Sequence, residues 1–293
     1  MIKIYYVPCY GEGTREYRLI KQGLENNPRV ELVDDDKESD FVFYFYFIRK
    51  HREHYTQEFP PEKTVVIDYH DRSQWIFSVK CFAYFKRSWV VMEKQEEGYT
   101  IKKPILRPSH FHPLTMAIMD EFIIEEEMER DMILSCPLRI KPGNPNRQRV
   151  LDLLRRMDIQ GRTQIGELNK GSMRAFNDSN MREYFRLLRR SRIVVTCNPS
   201  RWEGDHRTWE AFANGALVFV DRMWTPLTHP LVDGEHCIFY DLSDEGLEKL
   251  EHRILYFLEN PTQADAIARA GHEFTMRYHR TSNRIDEILD IIT

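Results

Sequence analysis

Residues 198–221 read Asn198-Pro-Ser-Arg-Trp-Glu-Gly-Asp-His-Arg-Thr-Trp-Glu-Ala-Phe-Ala-Asn-Gly-Ala-Leu-Val-Phe-Val-Asp221. They follow the apolar run Ile193–Thr196 and divide into a polar loop, a helix over His206–Asn214, a stop at Gly215, and a second apolar strand over Ala216–Val220. Strand, loop, helix, strand is the unit of a parallel sheet, and open α/β sheets bind ligands at the carboxyl ends of their strands. A helix N-terminus placed there offers unpaired amides and a positive dipole end, which favour an anion such as a diphosphate. Arg201 in the loop and Arg207 in the first turn supply forked donors for phosphate oxygens. Glu210 lies one turn further on the same face as Arg207, where a carboxylate can accept hydrogen bonds from ribose hydroxyls. Plainer readings stand beside these: Asp205 as a helix cap, and Arg207 with Glu210 as an i, i+3 surface ion pair.

The same rhythm runs outward in both directions. N-terminally, Ile2–Val7 reads as a strand, Pro8–Thr14 as a loop and Arg15–Asn26 as a helix that Thr14 can cap. Val30–Val33, Phe41–Ile48, Lys63–Asp68, Cys81–Phe85 and Trp89–Met92 follow as strands; the unbroken apolar runs mark strands covered on both faces. Gly11-x-Gly13 after the first strand is a turn as readily as a phosphate loop. Between Lys94 and Ile133 three prolines interrupt the pattern, with a helix or a pair of short helices expected over Met116–Arg130. Beyond it come a strand at Met132–Cys136, a turn at Pro142–Pro145, a helix at Arg147–Met157 and a weak strand at Thr163–Ile165. A basic amphipathic helix follows at Asn180–Arg190. After the quoted stretch come a strand at Cys237–Tyr240, helices at Glu245–Leu258 and Gln263–Tyr278, and an amphipathic end at Ser282–Ile292. No internal repeat and no low-complexity segment interrupts them.

Composition bounds the function. The 293 residues suit two domains, each with its own core. A formal charge of −4 gives no global field toward nucleic acid. Five cysteines, at 9, 81, 136, 197 and 237, show no zinc or redox spacing and read as buried free thiols of a reducing, cytoplasmic setting. The N-terminal apolar run is too short for a signal peptide, and no run approaches a membrane span. His51, His54, His110 and His112 show no metal spacing.

The quoted stretch resembles the C-terminal half of GT-B glycosyltransferases, most closely the exostosin-like family and related short bacterial and viral enzymes. The features carrying the resemblance are Gly204, Asp205, Arg207, Glu210-Ala211, Asn214-Gly215 and Leu217–Asp221, then Pro226–Tyr240 with Val232-Asp233-Gly234-Glu235-His236. The helix after Asn260-Pro261 and the last amphipathic segment also fit. The likeness runs from about Arg190 to Tyr278 and is architectural before that. It implies an α/β fold of two Rossmann-like domains facing across a cleft. Residues 1–125 form the acceptor-side domain, 126–278 bind the nucleotide sugar, and 279–293 cross back to the first domain. It implies transfer of a sugar from a nucleoside diphosphate, a UDP-sugar and by extension UDP-xylose, to a hydroxyl of a glycan, with donor contacts from Arg201, Gly204, Asp205, Arg207 and Glu210. One departure stands out: many retaining GT-B enzymes place two glutamates eight positions apart, whereas Glu203 and Glu210 are seven apart (210 − 203).

Inverting transfer is therefore expected, and it needs a base for the acceptor hydroxyl. Asp68, His70 and Asp71 follow the buried strand and are the candidates, with Asp71 first; a polar turn is the alternative. Lys86 and Arg87 can reach the diphosphate from the N-terminal side or form a solvated surface pair. Trp202 is a candidate sugar platform. No metal or cofactor is expected, since Asp-x-Asp occurs only in the acidic turn Asp34–Asp36 and a helix N-terminus with Arg207 can carry the charge. Two other classes share these features: a non-catalytic sugar- or nucleotide-binding protein, and a sugar-nucleotide epimerase of the same architecture.

Overall fold

The computed structural model describes residues 1–8, 13–46, 59–70, 80–89, 92–95, 98–101, 108–140, 145–166, 178–198 and 204–293. Gly11, Asp71, Arg201, Trp202, Glu203 and the turn expected before Pro145 lie outside them. The chain divides into two compact units. The first holds Met1–Met119, Trp224–Thr228 and His279–Thr293; the second holds Asp120–Met223 and His229–Tyr278.

Six strands form the sheet of the first unit: β1 (Ile2–Tyr6), β2 (Val30–Leu32), β3 (Phe41–Tyr46), β4 (Thr64–Asp68), β5 (Ala83–Lys86) and, after a hairpin, β8 (Phe111–Pro113). They are ordered β2-β1-β3-β4-β5-β8, and every neighbouring pair is parallel. The central strand β4 is buried along its whole length, and β3 from Val42 onward, as unbroken apolar runs require when a sheet is covered on both faces. The hairpin itself, β6 (Met92–Gln95) with β7 (Gly98–Ile101), is antiparallel. Helix α1 (Arg15–Glu25) is capped by Thr14, whose hydroxyl accepts from the Tyr17 amide.

The second unit repeats the plan with five parallel strands ordered β10-β9-β11-β12-β13: β9 (Met132–Cys136), β10 (Arg162–Ile165), β11 (Ser191–Thr196), β12 (Leu217–Asp221) and β13 (Ile238–Tyr240). Around this sheet lie α2 (Pro145–Arg156), α3 (Asp178–Arg190), α4 (His206–Ala213), α5 (Asp244–Glu259) and α6 (Pro261–Tyr278). Leu134, Ile193, Val195, Leu217 and Phe219 from the sheet join Leu151, Leu250 and Ile254 from the helices in one apolar core. Among the described residues no helix is long and apolar enough to cross a membrane.

The helix expected over Met116–Arg130 does not form. Only a single 3-10 turn stands there, at Asp120–Phe122. Its backbone groups find partners elsewhere: the Ile118 amide donates to the His279 carbonyl, the Ile124 amide to the Asn214 side chain, and the Phe122 carbonyl accepts from Asn214 Nδ2 at 2.7 Å. Each such bond removes a donor or acceptor that an α-helix needs. Of the strand expected at Trp89–Met92, Val90 and Val91 lie outside the described residues and Met92 opens β6.

The terminal helix α7 (Thr281–Ile292) packs in the first unit against α1. Ile285, Ile288, Leu289 and Ile292 form its buried stripe, and the buried Arg284 donates from Nε to the Met116 carbonyl. Asn27 Nδ2 bonds Asp286 at 2.9 Å and the Ser282 carbonyl at 3.2 Å. Close approach depends on Gly23, where an added Cβ would lie 2.6 Å from the Thr281 carbonyl oxygen and 2.7 Å from Ile285 Cγ1. The near atom is backbone and cannot swing aside. Gly23→Ala is therefore expected to destabilise the protein by about 1–3 kcal/mol through overpacking. Urea unfolding at pH 7 checks this; an unchanged or raised midpoint would mean that α7 shifts at no cost.

Candidate functional site

The 8-residue helix α4 is fixed at both ends. Gly204 enters it at φ 76°, a left-handed backbone that glycine adopts without strain, and an added Cβ would also press on Met223 Sδ at 2.7 Å. Asp205 is the N-cap and accepts from the Thr208 amide at 3.3 Å. At the other end Gly215, at φ 69°, donates to the Phe212 carbonyl, and Ala216 donates to Ala211. These are the paired bonds of a Schellman stop. The helix thus opens beyond the carboxyl end of β11 and closes just before β12.

Asp205 does more than cap. Its Oδ2 accepts from Arg147 Nη2 at 2.8 Å and from Arg207 Nη1 at 3.1 Å, in a buried triad. Burial by itself would raise the Asp205 carboxyl; the Arg207 and Arg147 guanidiniums outweigh it and hold the group below the ordinary carboxylate range. Burial would likewise lower Arg207, but Asp205 holds it above its ordinary value. Arg147 spends Nε on the Cys197 carbonyl at 3.0 Å, and Arg207 spends Nε on Pro137 at 3.1 Å. Arg207 Nη2 has no hydrogen bond among the described residues, and the side chain keeps 15% exposure. Both guanidiniums are thus locked in place, and the second retains a donor edge. Arg147 was not among the residues singled out from sequence, where it reads only as the start of a helix; its partner is 58 positions away.

Glu210 is fully buried, and its Oε2 accepts from the Tyr184 hydroxyl of α3 at 2.6 Å. The solvated Arg207–Glu210 pair is therefore not formed. Beneath the helix, the buried Asp221 at the end of β12 accepts at Oδ1 from the Asn198 amide, 2.6 Å, and from Asn198 Nδ2, 3.0 Å. Its Oδ2 and Asn198 Oδ1 are buried with no hydrogen-bond partner among the described residues. Among the described residues no group of three or more His, Cys, Asp or Glu side chains is placed to hold a metal ion.

In the first unit, Asp68 and Lys86 sit side by side on β4 and β5 and are both fully buried, with Nζ 3.1 Å from Oδ1. Asp68 also accepts from Tyr84 at 2.6 Å and from the His70 amide at 2.9 Å, while Lys86 donates to the His70 carbonyl at 2.7 Å. Burial raises the Asp68 carboxyl against the pull of Lys86 and Tyr84. An acceptor hydroxyl cannot reach a carboxylate so enclosed, and the Lys86 ammonium is committed to the same network. This pair anchors the His70 backbone just beyond β4. Lys86 and Arg87 are both buried, not a solvated surface pair. His70 is half-buried. Ser88 follows at φ 51°, the left-handed region, where the chain turns off the end of β5.

Residues 147–290 match the Glycosyl transferase-like family. Among curated protein sequences none matches the chain. Among solved structures, sucrose-phosphate synthase from Thermosynechococcus elongatus is 8% identical over 99% of this chain and 98% of that one, with TM-score 0.57. HepE from Anabaena, in complex with UDP and glucose, is 10% identical over 99% and 100% of the two chains, TM-score 0.53. TarM, at TM-score 0.46 and 10% identity, aligns with 79% of this chain, which spans 55% of TarM's length. The two-sheet parallel architecture of the sucrose-phosphate synthase and HepE structures is shared by this chain, which has the GT-B fold.

A pH experiment checks the electrostatics of this site. Burial, with the nearby Asp205 charge adding to it and the Asn198 amide opposing, pushes the Asp221 carboxyl up to about 7. An acid whose pKa is higher folded than unfolded stabilises the fold below the unfolded pKa, and that contribution is lost as pH rises to the folded one. The stability gap between Asp221→Asn and the parent should therefore widen in the variant's favour from about pH 4 to pH 7, by up to about 4 kcal/mol, and level off above pH 8. Urea unfolding across pH 4–8.5 measures it. A gap independent of pH would show that the carboxyl ionises normally.

Proposed function

We propose that the chain is a glycosyltransferase that moves a sugar from a UDP-sugar to an acceptor hydroxyl. The carrying observation is the buried Arg147–Asp205–Arg207 triad at the N-terminus of α4, beyond the carboxyl ends of parallel strands. In this reading the diphosphate meets the α4 amides and the donor edge of Arg207, while Glu210, enclosed against Tyr184, holds α4 in place and does not meet the ribose. Developing negative charge on the leaving UDP is met by the helix end and Arg207, so no metal ion is required. The choice of uridine is supported by a neighbour of the same fold whose structure holds UDP and glucose. Transfer proceeds with inversion, and of the three candidate bases His70 or Asp71 takes the acceptor proton, since Asp68 is enclosed.

A thermal-shift panel of UDP-glucose, UDP-xylose, GDP-mannose and dTDP-glucose, in EDTA, is the test. At about 100 times its dissociation constant a bound donor stabilises by about 2.7 kcal/mol. UDP-sugars are expected to raise the midpoint, the others not, and UDP to be released slowly without acceptor. No shift with any UDP compound, or shifts only with manganese added, would overturn the reading; interconversion of UDP-sugars would point to an epimerase, and binding without UDP release to a binding protein.

A further inference from the structure

Two buried carboxylates stand in unlike surroundings, Asp205 beyond the carboxyl end of β11 and Asp221 at that of β12. Asp205 lies between the Arg147 and Arg207 guanidiniums, at 2.8 and 3.1 Å. Among the described residues no cation bonds Asp221. Its Oδ1 accepts from the amide and from Nδ2 of Asn198, both uncharged, and its Oδ2 has no hydrogen-bond partner there. Two acids of one site held so differently divide into an ionised one and a neutral one.

The groups facing Asp221 point the same way. Arg147 of α2 favours its charge, but Asp205 of α4 opposes it more strongly, and burial outweighs both. Cys197 after β11 and Tyr240 on β13 also feel Asp221, and burial keeps their thiol and phenol protonated. Arg222, next along the chain, is exposed. His206 opens α4 and acts on Asp205. The balance pushes the Asp221 carboxyl up to about 7. Two guanidiniums and one carboxylate leave the Arg147–Asp205–Arg207 triad with one positive charge in excess. An ionised Asp221 cancels that excess; a neutral one leaves it for a ligand.

We infer that Asp221 is a proton-linked control on the donor site. The diphosphate binds with Asp221 neutral, and a donor arriving while it is ionised draws a proton from solvent onto the carboxyl. The inference rests on the sugar-transfer reading and adds regulation to it. Asp221 is enclosed and does not touch the donor; it acts through its charge on the field at the start of α4. Linkage makes the effect reciprocal, so the factor by which the proton strengthens donor binding is the factor by which the donor strengthens proton binding.

UDP-glucose is the probe, since both its phosphates are esterified and neither titrates near neutrality. Calorimetric titration is run at pH 6 and pH 8.5, and at pH 7.5 in HEPES and in Tris, whose ionisation enthalpies differ. The parent protein should bind about fivefold or more tightly at pH 6 than at pH 8.5, and should take up part of a proton per donor at pH 7.5. Asp221→Asn, of the same shape and uncharged, should bind at pH 8.5 nearly as the parent does at pH 6, with the uptake largely abolished. Histidine changes charge in the same range. An undiminished pH dependence in Asp221→Asn would therefore assign the effect to His206 and overturn the inference. Equal affinities at the two pH values in the parent, or heats independent of the buffer, would overturn it as well. The two readings fail differently: binding of UDP-glucose without pH dependence removes the inference alone, whereas no binding at either pH removes the donor reading and the inference with it.

Discussion

The second unit depends on one arrangement: a carboxylate, Asp205, buried at the start of a helix between two guanidiniums. Each partner alone would be costly at this depth, because an unpaired buried charge destabilises a fold by several kcal/mol. Together they satisfy the first turn of α4 and tie it to α2 through Arg147. They also reach the loop after β9, through the bond from Arg207 to Pro137. Every other feature of the site follows from fixing that helix end. Gly204 enters it without strain, Glu210 is carried inward one turn later to meet Tyr184, and Asn214 leaves the far end to pin the Phe122 segment. In the proposed reading, a helix dipole held this rigidly would serve as a preorganised receptor for the leaving diphosphate.

The first unit uses charge differently. Asp68 and Lys86 neutralise one another inside the sheet and hold the His70 backbone at both its amide and its carbonyl. Their work is to fix the His70 backbone just beyond β4. A buried pair of this kind adds little net stability, yet removing either partner strands the other.

Much of this was legible in the sequence, and the reasons are local. Apolar runs such as Phe41–Tyr46 and Leu217–Val220 are strands because both faces are covered, and the Asp205 cap and Gly215 stop are written in residue type. The Met116–Arg130 segment misled because periodicity cannot see that Asn214, some 90 positions on, competes for its backbone. Arg147 was invisible as a site residue for the same reason. Lys86-Arg87 looked like a surface pair because adjacent basic residues usually are one; only the register that sets Asp68 beside Lys86 reveals burial. Long-range pairing, not propensity, is what single-sequence reading lacks.

The central claim is that Arg207, held by Asp205, binds the diphosphate of the donor. Calorimetric titration of Arg207→Lys with UDP and with uridine tests it directly, because lysine keeps the charge but loses the fork. The account predicts at least a tenfold loss of affinity for UDP and an unchanged affinity for uridine. An unaltered UDP affinity, or an equal loss for both ligands, would contradict it.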